Sequence, residues 1–142
     1  MSVLVDTSVW SRALRRRNVD GESVVVRELR DLVAEGGALM IGPVRQELLS
    51  GIKHARQYEE LRDVLRAFPD VVVTTTDYER GAEHFNRCRG RGLQGSNTDF
   101  LICAVAERLG AAIFTTDEDF IHFARVLPIR LHRSRFPQDD QG

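Results

Sequence analysis

The sequence predicts an α/β fold: a three-layer α/β/α sandwich with a mainly parallel sheet of about five strands. Short apolar runs alternate with longer amphipathic segments along the 142 residues. Strands separated by helices indicate parallel pairing, because parallel strands need a long crossover connection that covers the faces of the sheet. Hydrophobic residues make up 42% and charged residues 29% of the chain, as in ordinary globular domains. We therefore expect one domain at residues 1–136 and a frayed polar tail at residues 137–142.

The first half of the chain predicts two strands and four helices. The first strand is a short apolar run that ends at an aspartate. The second helix has valines and leucines at spacings of three and four and ends at two glycines. A proline, which the first turn of a helix tolerates, opens the helix after the second strand. In order, the predicted elements are strand 3–5, helix 7–17, helix 22–35, strand 38–41, helix 43–50 and helix 53–68.

The second half predicts three further strands, again from apolar runs, and three further helices. Gly90, Gly92 and Gly95 mark the loop before a strongly apolar helix and suit a close approach to a substrate backbone. In order, the predicted elements are strand 71–74, helix 77–91, helix 98–109, strand 111–114, helix 117–124 and strand 127–131.

Four acidic residues are predicted at the carboxyl edge of the sheet, where α/β proteins bind their ligands. Asp6 follows the first strand, and Glu47 lies one turn into the helix after the second. Asp99 opens the apolar helix, and Asp117 follows the fourth strand. Each has an ordinary interpretation, since Asp6 fits a helix N-cap and an isolated glutamate such as Glu47 is usually a surface residue. The segments from Ser96 to Asp99 and from Thr116 to Asp119, the second of which contains Asp117, match the capping-box pattern. As a group they indicate a bound cation, because clustered like charges repel one another unless neutralised.

The available side chains favour Mg²⁺ or Mn²⁺ over zinc. Ligand sets made only of oxygen atoms suit hard divalent ions. The four histidines have no metal-ligand spacing, and Cys88 and Cys103 show none either. A divalent ion at an open sheet edge suits phosphate-ester hydrolysis, because it polarises phosphoryl oxygens and activates water.

Four segments carry the acidic residues in a characteristic order: V-D-T-S-V-W at the start, P-V-R-Q-E-L-L-S-G, the helix N-T-D-F-L-I-C-A-V-A and F-T-T-D-E-D-F. Together they resemble the PIN-domain nucleases, and most of all the VapC-type toxins of VapBC toxin–antitoxin pairs. The resemblance implies an α/β/α sandwich and covers residues 1–136. It implies that the catalytic, metal-binding acids are Asp6, Glu47, Asp99 and Asp117.

The same resemblance implies supporting roles for three polar residues. Asp119 matches a further acidic position, while Ser8 and Thr115 match small polar residues that steady the carboxylates or a metal-bound water. Phe100 departs from the family pattern, which usually has a small residue after the third aspartate. This departure concerns the shape of the pocket rather than its capacity to bind a metal.

By resemblance, the chain is a Mg²⁺- or Mn²⁺-dependent endoribonuclease that leaves a 5′-phosphate and a 3′-hydroxyl and inhibits growth and translation. The resemblance also implies a VapB-type antitoxin that blocks the site, a toxin homodimer, and a heterotetramer or larger assembly with the antitoxin. The apolar runs fall far short of the ~20 residues of a membrane span, and the N-terminus has no signal-peptide pattern. We therefore expect a cytoplasmic protein without membrane association.

Arginine dominates the basic residues, with nineteen arginines and one lysine in a chain of net charge −1. The guanidinium group suits phosphate oxygens, although a GC-rich genome gives the same bias. Two clusters flank the predicted site, and either RNA binding or a solvated helix face explains them. The clusters are Arg12, Arg15, Arg16 and Arg17, and Arg87, Arg89 and Arg91.

Three other functions stay open from the sequence. The common aspartyl phosphatases need a second carboxylate two residues after the first, where this chain has Ser8. A non-catalytic PIN module normally lacks one or more of the acids that this chain retains. A PIN nuclease of RNA processing or DNA cleavage would keep the acids and differ only in its substrate.

Overall fold

The computed structural model describes residues 2–14 and 23–133. Within these residues, no helix is both long and apolar enough to cross a membrane. In chain order, the elements are β1 (Val3–Val5), α1 (Thr7–Leu14), α2 (Val24–Ala34), β2 (Ala38–Leu39), α3 (Gly42–Leu49), α4 (Ala55–Leu65), α5 (Thr75–Arg89), α6 (Asn97–Leu109), β3 (Ala112–Phe114) and α7 (Asp119–Phe123).

The three strands form a parallel sheet in the order β2-β1-β3. Two further segments extend it through single parallel bridges, Met40 with Asp70 at one edge and Ile113 with Leu131 at the other. Five stretches of chain therefore run side by side where five strands were predicted. The strand predicted at 71–74 is thus reduced to the bridge at Asp70, and Thr74 is the N-cap of α5.

Both faces of the sheet are covered by helices. All three positions of β1 and of β3 are buried, and successive residues of a strand point to opposite faces. The main helix contacts fall into two groups, α1 to α4 and α5 with α6. Within α6, residues 100–106 are all buried, which explains its uniformly apolar sequence. Trp10 packs in the core against Phe68 and is 1% exposed.

The observed helices lie within a few residues of the predicted ones. The helix predicted at 53–68 ends earlier, at Leu65, where the Arg45 guanidinium donates to the carbonyl oxygens of Leu65 and Phe68. The helix predicted at 7–17 is described only to Leu14. Arg15, Arg16 and Arg17, and the predicted tail at 137–142, lie outside the described residues.

Candidate active site

The strand order brings Asp6 and Asp117 to the same edge of the sheet. β1 and β3 are parallel neighbours, with Val5 paired to Phe114 in the last register position of each. The amide of Asp6 continues this ladder by donating to the carbonyl of Phe114 at 2.8 Å. Asp6 thus leaves the sheet beside the turn that carries Asp117, as expected for the carboxyl ends of adjacent parallel strands.

Two hydroxyl groups hold the buried carboxylate of Asp6, which is 5% exposed. Ser8 Oγ and Thr115 Oγ1 each donate to Asp6 Oδ2 at 2.8 Å. Within the described residues, no group donates to the other oxygen, Oδ1. The side chain therefore does not cap α1, which was the alternative interpretation of this aspartate. It presents one oxygen to the hydroxyls and keeps one without a hydrogen-bond donor.

The turn between β3 and α7 is built from the same hydroxyls. The amide of Thr116 donates to Ser8 Oγ at 3.1 Å, and the amide of Asp117 donates to Thr115 Oγ1 at 3.0 Å. Asp117 Oδ1 in turn accepts the amide of Asp119 at 2.9 Å. The capping box predicted from Thr116 to Asp119 does not form, because Asp117 takes that amide and α7 has no side-chain cap. The carboxylate of Asp119 is left exposed.

Asp99 combines a structural role with a place in the acidic cluster. It forms a capping box with Ser96, in which Asp99 Oδ2 accepts the Ser96 amide at 3.0 Å and the Ser96 hydroxyl accepts the Asp99 amide at 3.1 Å. Burial raises the pKa of Asp99 above its usual value, and the negative charges of Asp6 and Asp117 raise it further. The Ser96 hydrogen bonds offset part of this rise. The three carboxylates are therefore close enough to interact.

Glu47 reaches the site from α3 through a residue that the sequence reasoning missed. Thr7 Oγ1 donates to Glu47 Oε2 at 2.8 Å, and Thr7 follows Asp6 directly. Glu47 itself is exposed, so the hydrogen bond fixes a carboxylate that packing does not hold. The sequence predicted Ser96 only as a helix cap and not as a residue that holds an acid of the site. The available signals were that Thr7 directly follows Asp6 and that Ser96 precedes Asp99 by three residues.

The acidic side chains are neighbours without forming a closed metal cage. Across residues 2–14 and 23–133, no three or more His, Cys, Asp or Glu side chains make a ready-made metal cluster. Thr7 and Ser96 each hold one of the carboxylates. Cys103 adds no ligand, since burial and then the charge of Asp99 raise the pKa of its thiol and keep it protonated.

The carboxylates of the candidate site lack the ion-pair partners that the other buried acids have among the described residues. Glu28 is paired with His132 at 2.8 Å, and Asp77 is paired with Arg108 at 2.8 Å. In the part of the chain that the structure describes, no Arg, Lys or His forms an ion pair with Asp6, Glu47, Asp99 or Asp117. Burying unneutralised like charges destabilises a fold, so the arrangement fits the binding of a hard cation to oxygen ligands.

An open cleft of about 510 Å³ borders the turn after β3 and is lined by Thr115, Thr116 and Asp117, but not by Asp6, Glu47 or Asp99. Arg12 and Arg91 are exposed on the described surface. Arg89 lies over the ring of Phe85, with its guanidinium carbon 5.8 Å from the ring centroid. These three arginines remain available to solvent in the described structure, whereas Arg15 and Arg16 fall outside it.

Comparison with known proteins identifies the family. The family model of the PIN domain matches residues 3–126, so the chain belongs to the PIN domain family. Ribonuclease VapC11 of Mycobacterium tuberculosis is 31% identical over 128 residues, which cover 87% of this chain and 92% of that protein. The resemblance inferred from the four sequence segments is therefore confirmed.

Solved structures share the fold at lower sequence identity. VapBC2 from Rickettsia felis, bound to a DNA fragment from its promoter, is 19% identical with a TM-score of 0.71 and covers 93% of this chain and 98% of that chain. A toxin–antitoxin complex from Klebsiella pneumoniae is 19% identical with a TM-score of 0.60 and covers 84% and 90% respectively. The predicted α/β/α sandwich is confirmed.

Proposed function

We propose that this chain is a metal-dependent endoribonuclease and the toxin of a toxin–antitoxin pair. The observation that carries the proposal is a buried Asp6 carboxylate that interacts with Asp99 and Asp117 and has no cationic partner among the described residues. Membership of the PIN domain family and similarity to a protein named a ribonuclease support the reaction class.

Asp6, Glu47, Asp99 and Asp117 would hold Mg²⁺ or Mn²⁺, because carboxylate oxygens are the ligands such ions prefer. A bound ion would polarise the phosphodiester and lower the pKa of the water that attacks it. Attack with loss of the 3′-oxygen as leaving group would leave the 5′-phosphate and 3′-hydroxyl ends that the family resemblance implies. The chain's own contribution is to bring together carboxylates that are more than a hundred residues apart at one sheet edge.

Neutral hydroxyl groups orient these carboxylates. Ser8 and Thr115 fix the plane of Asp6 through one oxygen, and Thr7 fixes Glu47. A hydroxyl donor restricts the rotamer of a carboxylate without neutralising its charge. Asp119 bounds the site beyond Asp117 through its backbone amide.

Arginines near the site would bind RNA phosphates on either side of the bond that is cut. Arg12 lies on α1, which begins directly after Asp6, and Arg89 and Arg91 precede the loop that leads to Asp99. Arg15 and Arg16 are proposed for the same role from the sequence alone. Phosphate contacts of this kind are independent of sequence and weaken as salt is added.

The partner would be a VapB-type antitoxin, with the toxin forming a homodimer and a heterotetramer or larger assembly with that antitoxin. The support is structural similarity to VapBC2 and to a toxin–antitoxin complex. Co-expression with the protein encoded by the adjacent gene, followed by size-exclusion chromatography, tests this. A single complex that no longer cuts RNA is expected, and separate elution with undiminished cleavage would contradict it.

The catalytic assignment is tested with Asp6→Asn, Glu47→Gln and Asp99→Asn. The purified protein is expected to cut single-stranded RNA with Mg²⁺ or Mn²⁺ and to stop with a chelator. Each variant is expected to lose at least about 100-fold in rate, since a lost ligand or its charge costs several kcal/mol of transition-state stabilisation. Glu79→Gln, an exposed acid on α5, is the matched control and should cut like the parent.

Thermal unfolding separates loss of the site from loss of the fold. The three variants should unfold at or above the parent temperature without metal. Asp6→Asn and Asp99→Asn each remove one of two interacting negative charges, and Glu47→Gln alters an exposed side chain whose amide oxygen can still accept from Thr7. Added Mg²⁺ should stabilise the parent, by about 2.7 kcal/mol at a hundred times its dissociation constant, and stabilise the variants less. If all three variants cut RNA as fast as the parent, the catalytic assignment of these acids is wrong. If the parent cuts DNA but not RNA, the proposed substrate is wrong.

A further inference from the structure

A second cleft, of about 340 Å³, adjoins the candidate active site on the side of α7. It is lined by Gly92, Leu93, Gln94, Asp119, His122 and Phe123. Asp119 connects the two sites, because its amide is bonded to Asp117 Oδ1 at 2.9 Å. The cleft is therefore adjacent to Asp117 of the candidate active site.

The wall of the cleft is held in place before any ligand binds. The amide of Leu93 donates to the carbonyl of Cys88 at 2.9 Å, and Gly92 takes a φ of +77°, which side-chain-bearing residues rarely adopt. At Gly95, a Cβ atom would lie 2.7 Å from Phe123 Cζ and 3.0 Å from the ring of Phe100. The backbone thus packs directly on buried aromatic rings at one end and is tied to α5 at the other.

Between these two fixed points, Gln94 is the exposed residue that lines cavities on both sides of the loop. One is the cleft beside α7, and the other is a pocket of about 140 Å³ bounded by Phe85 and Arg89. His122 faces the larger cleft from α7 and is also exposed. An amide supplies two donors and an acceptor, and an imidazole supplies a donor and an acceptor in its neutral form.

The charges in the cleft select a neutral occupant. No lysine or arginine is among the described residues that line it, and the carboxylate of Asp119 repels a phosphate. Gln94 and His122 present hydrogen-bonding groups to the cleft, beside the half-buried Leu93 and above Phe123, which is 1% exposed. This lining matches the edge of a planar heterocycle with hydrogen-bonding atoms, and single-stranded RNA is recognised through such base edges.

We propose that this cleft binds the base of a nucleotide that flanks the cut phosphodiester, with Gln94 and His122 bonding its edge. The inference rests on the proposed ribonuclease function and extends it to sequence preference. Arg89, over the ring of Phe85 on the other side of the loop, is then placed to meet the backbone of the same strand.

The test is cleavage of a random-sequence pool of single-stranded RNA with Mg²⁺, followed by sequencing of the 5′-phosphate ends. The parent should favour particular bases at a position beside the cut. Gln94→Ala and His122→Ala should reduce that preference by about 5-fold or more while still cutting, since a base contact is worth ~1–3 kcal/mol of discrimination. Gln57→Ala, an exposed amide on α4, is the matched control and should keep the parent profile.

The outcomes distinguish this inference from the function on which it rests. If the parent cuts and Asp99→Asn does not, the ribonuclease proposal stands. Parent-like profiles for both Gln94→Ala and His122→Ala, or a parent profile without any base preference, would then overturn the cleft assignment alone. If the parent does not cut RNA, both proposals fail. Unchanged thermal unfolding of the exposed-residue variants excludes a folding defect.

Discussion

Replacing Gly95 by alanine tests whether the loop before Asp99 is packed as tightly as the structure indicates. The new Cβ would lie 2.7 Å from Phe123 Cζ and 3.0 Å from Phe100 Cε2 and Cζ. Neither ring can move away easily, because Phe100 and Phe123 are each 1% exposed and their centroids are 4.8 Å apart. We expect a loss of about 1–3 kcal/mol of unfolding free energy, the usual effect of overpacking.

Thermal unfolding followed by circular dichroism measures this change. For a domain of this size, each kcal/mol corresponds to about 2–4 °C. Gly90→Ala is the matched control, since Gly90 has helical angles (φ −62°, ψ −18°) and its Cβ would meet only ordinary contacts at 3.5 Å. That variant should be neutral or more stable by about 0.4–1 kcal/mol. Equal midpoints for Gly95→Ala and Gly90→Ala would refute the packing argument.

Two further predictions concern polar contacts. Thr7→Val should lower the cleavage rate and raise the Mg²⁺ concentration needed for half-maximal activity, because it removes the hydroxyl that donates to Glu47. Thr7→Ser keeps that donor and should restore both quantities. Equal effects of the two variants would contradict this role of Thr7. The Arg108 guanidinium holds the pKa of Asp77 below its usual value, so this pair stabilises the fold above the ordinary carboxyl pKa of about 3.9 and loses its effect as pH falls through the lower folded value. Asp77→Asn should therefore lower the free energy of unfolding at about pH 6 by about 1.5–3 kcal/mol relative to the parent, measured by thermal unfolding. The difference between the two proteins should shrink by about pH 3.

The sequence predicted the alternation of elements and the edge at which the acids meet, because both follow from local patterns. An apolar run followed by Asp6, and another followed closely by Asp117, places both carboxylates once the strands are taken as parallel. The two edge segments were predicted as strands but form single bridges, since whether a segment continues in a sheet depends on its neighbours. The Thr116–Asp119 capping box failed for a similar reason, because Ser8 and Asp117 take those amides.

Contacts between distant residues were beyond the reach of the sequence patterns. Thr7 and Glu47 are forty positions apart, and only the packing of α1 against α3 brings them together. The sequence placed Gly95 in a loop suited to a close approach to a substrate backbone, whereas the structure places it against Phe100 and Phe123. That contact depends on how α6 packs against α7, which cannot be predicted from the hydrophobic periodicity of either helix alone.

The way in which this protein orients its acids bears directly on what the site can bind. An arginine or lysine would orient a carboxylate more strongly than a hydroxyl does, as Arg108 does for Asp77, but would also neutralise it. At the candidate site the orienting groups are the hydroxyls of Ser8, Thr115 and Thr7, and for Asp99 the first turn of α6, whose dipole favours a negative charge. These neutral donors hold the geometry and leave the summed negative charge for a ligand. Burial first, and then the negative charges of Asp6 and Asp117, raise the pKa of Asp99, and a divalent cation bound here would offset the repulsion among these charges.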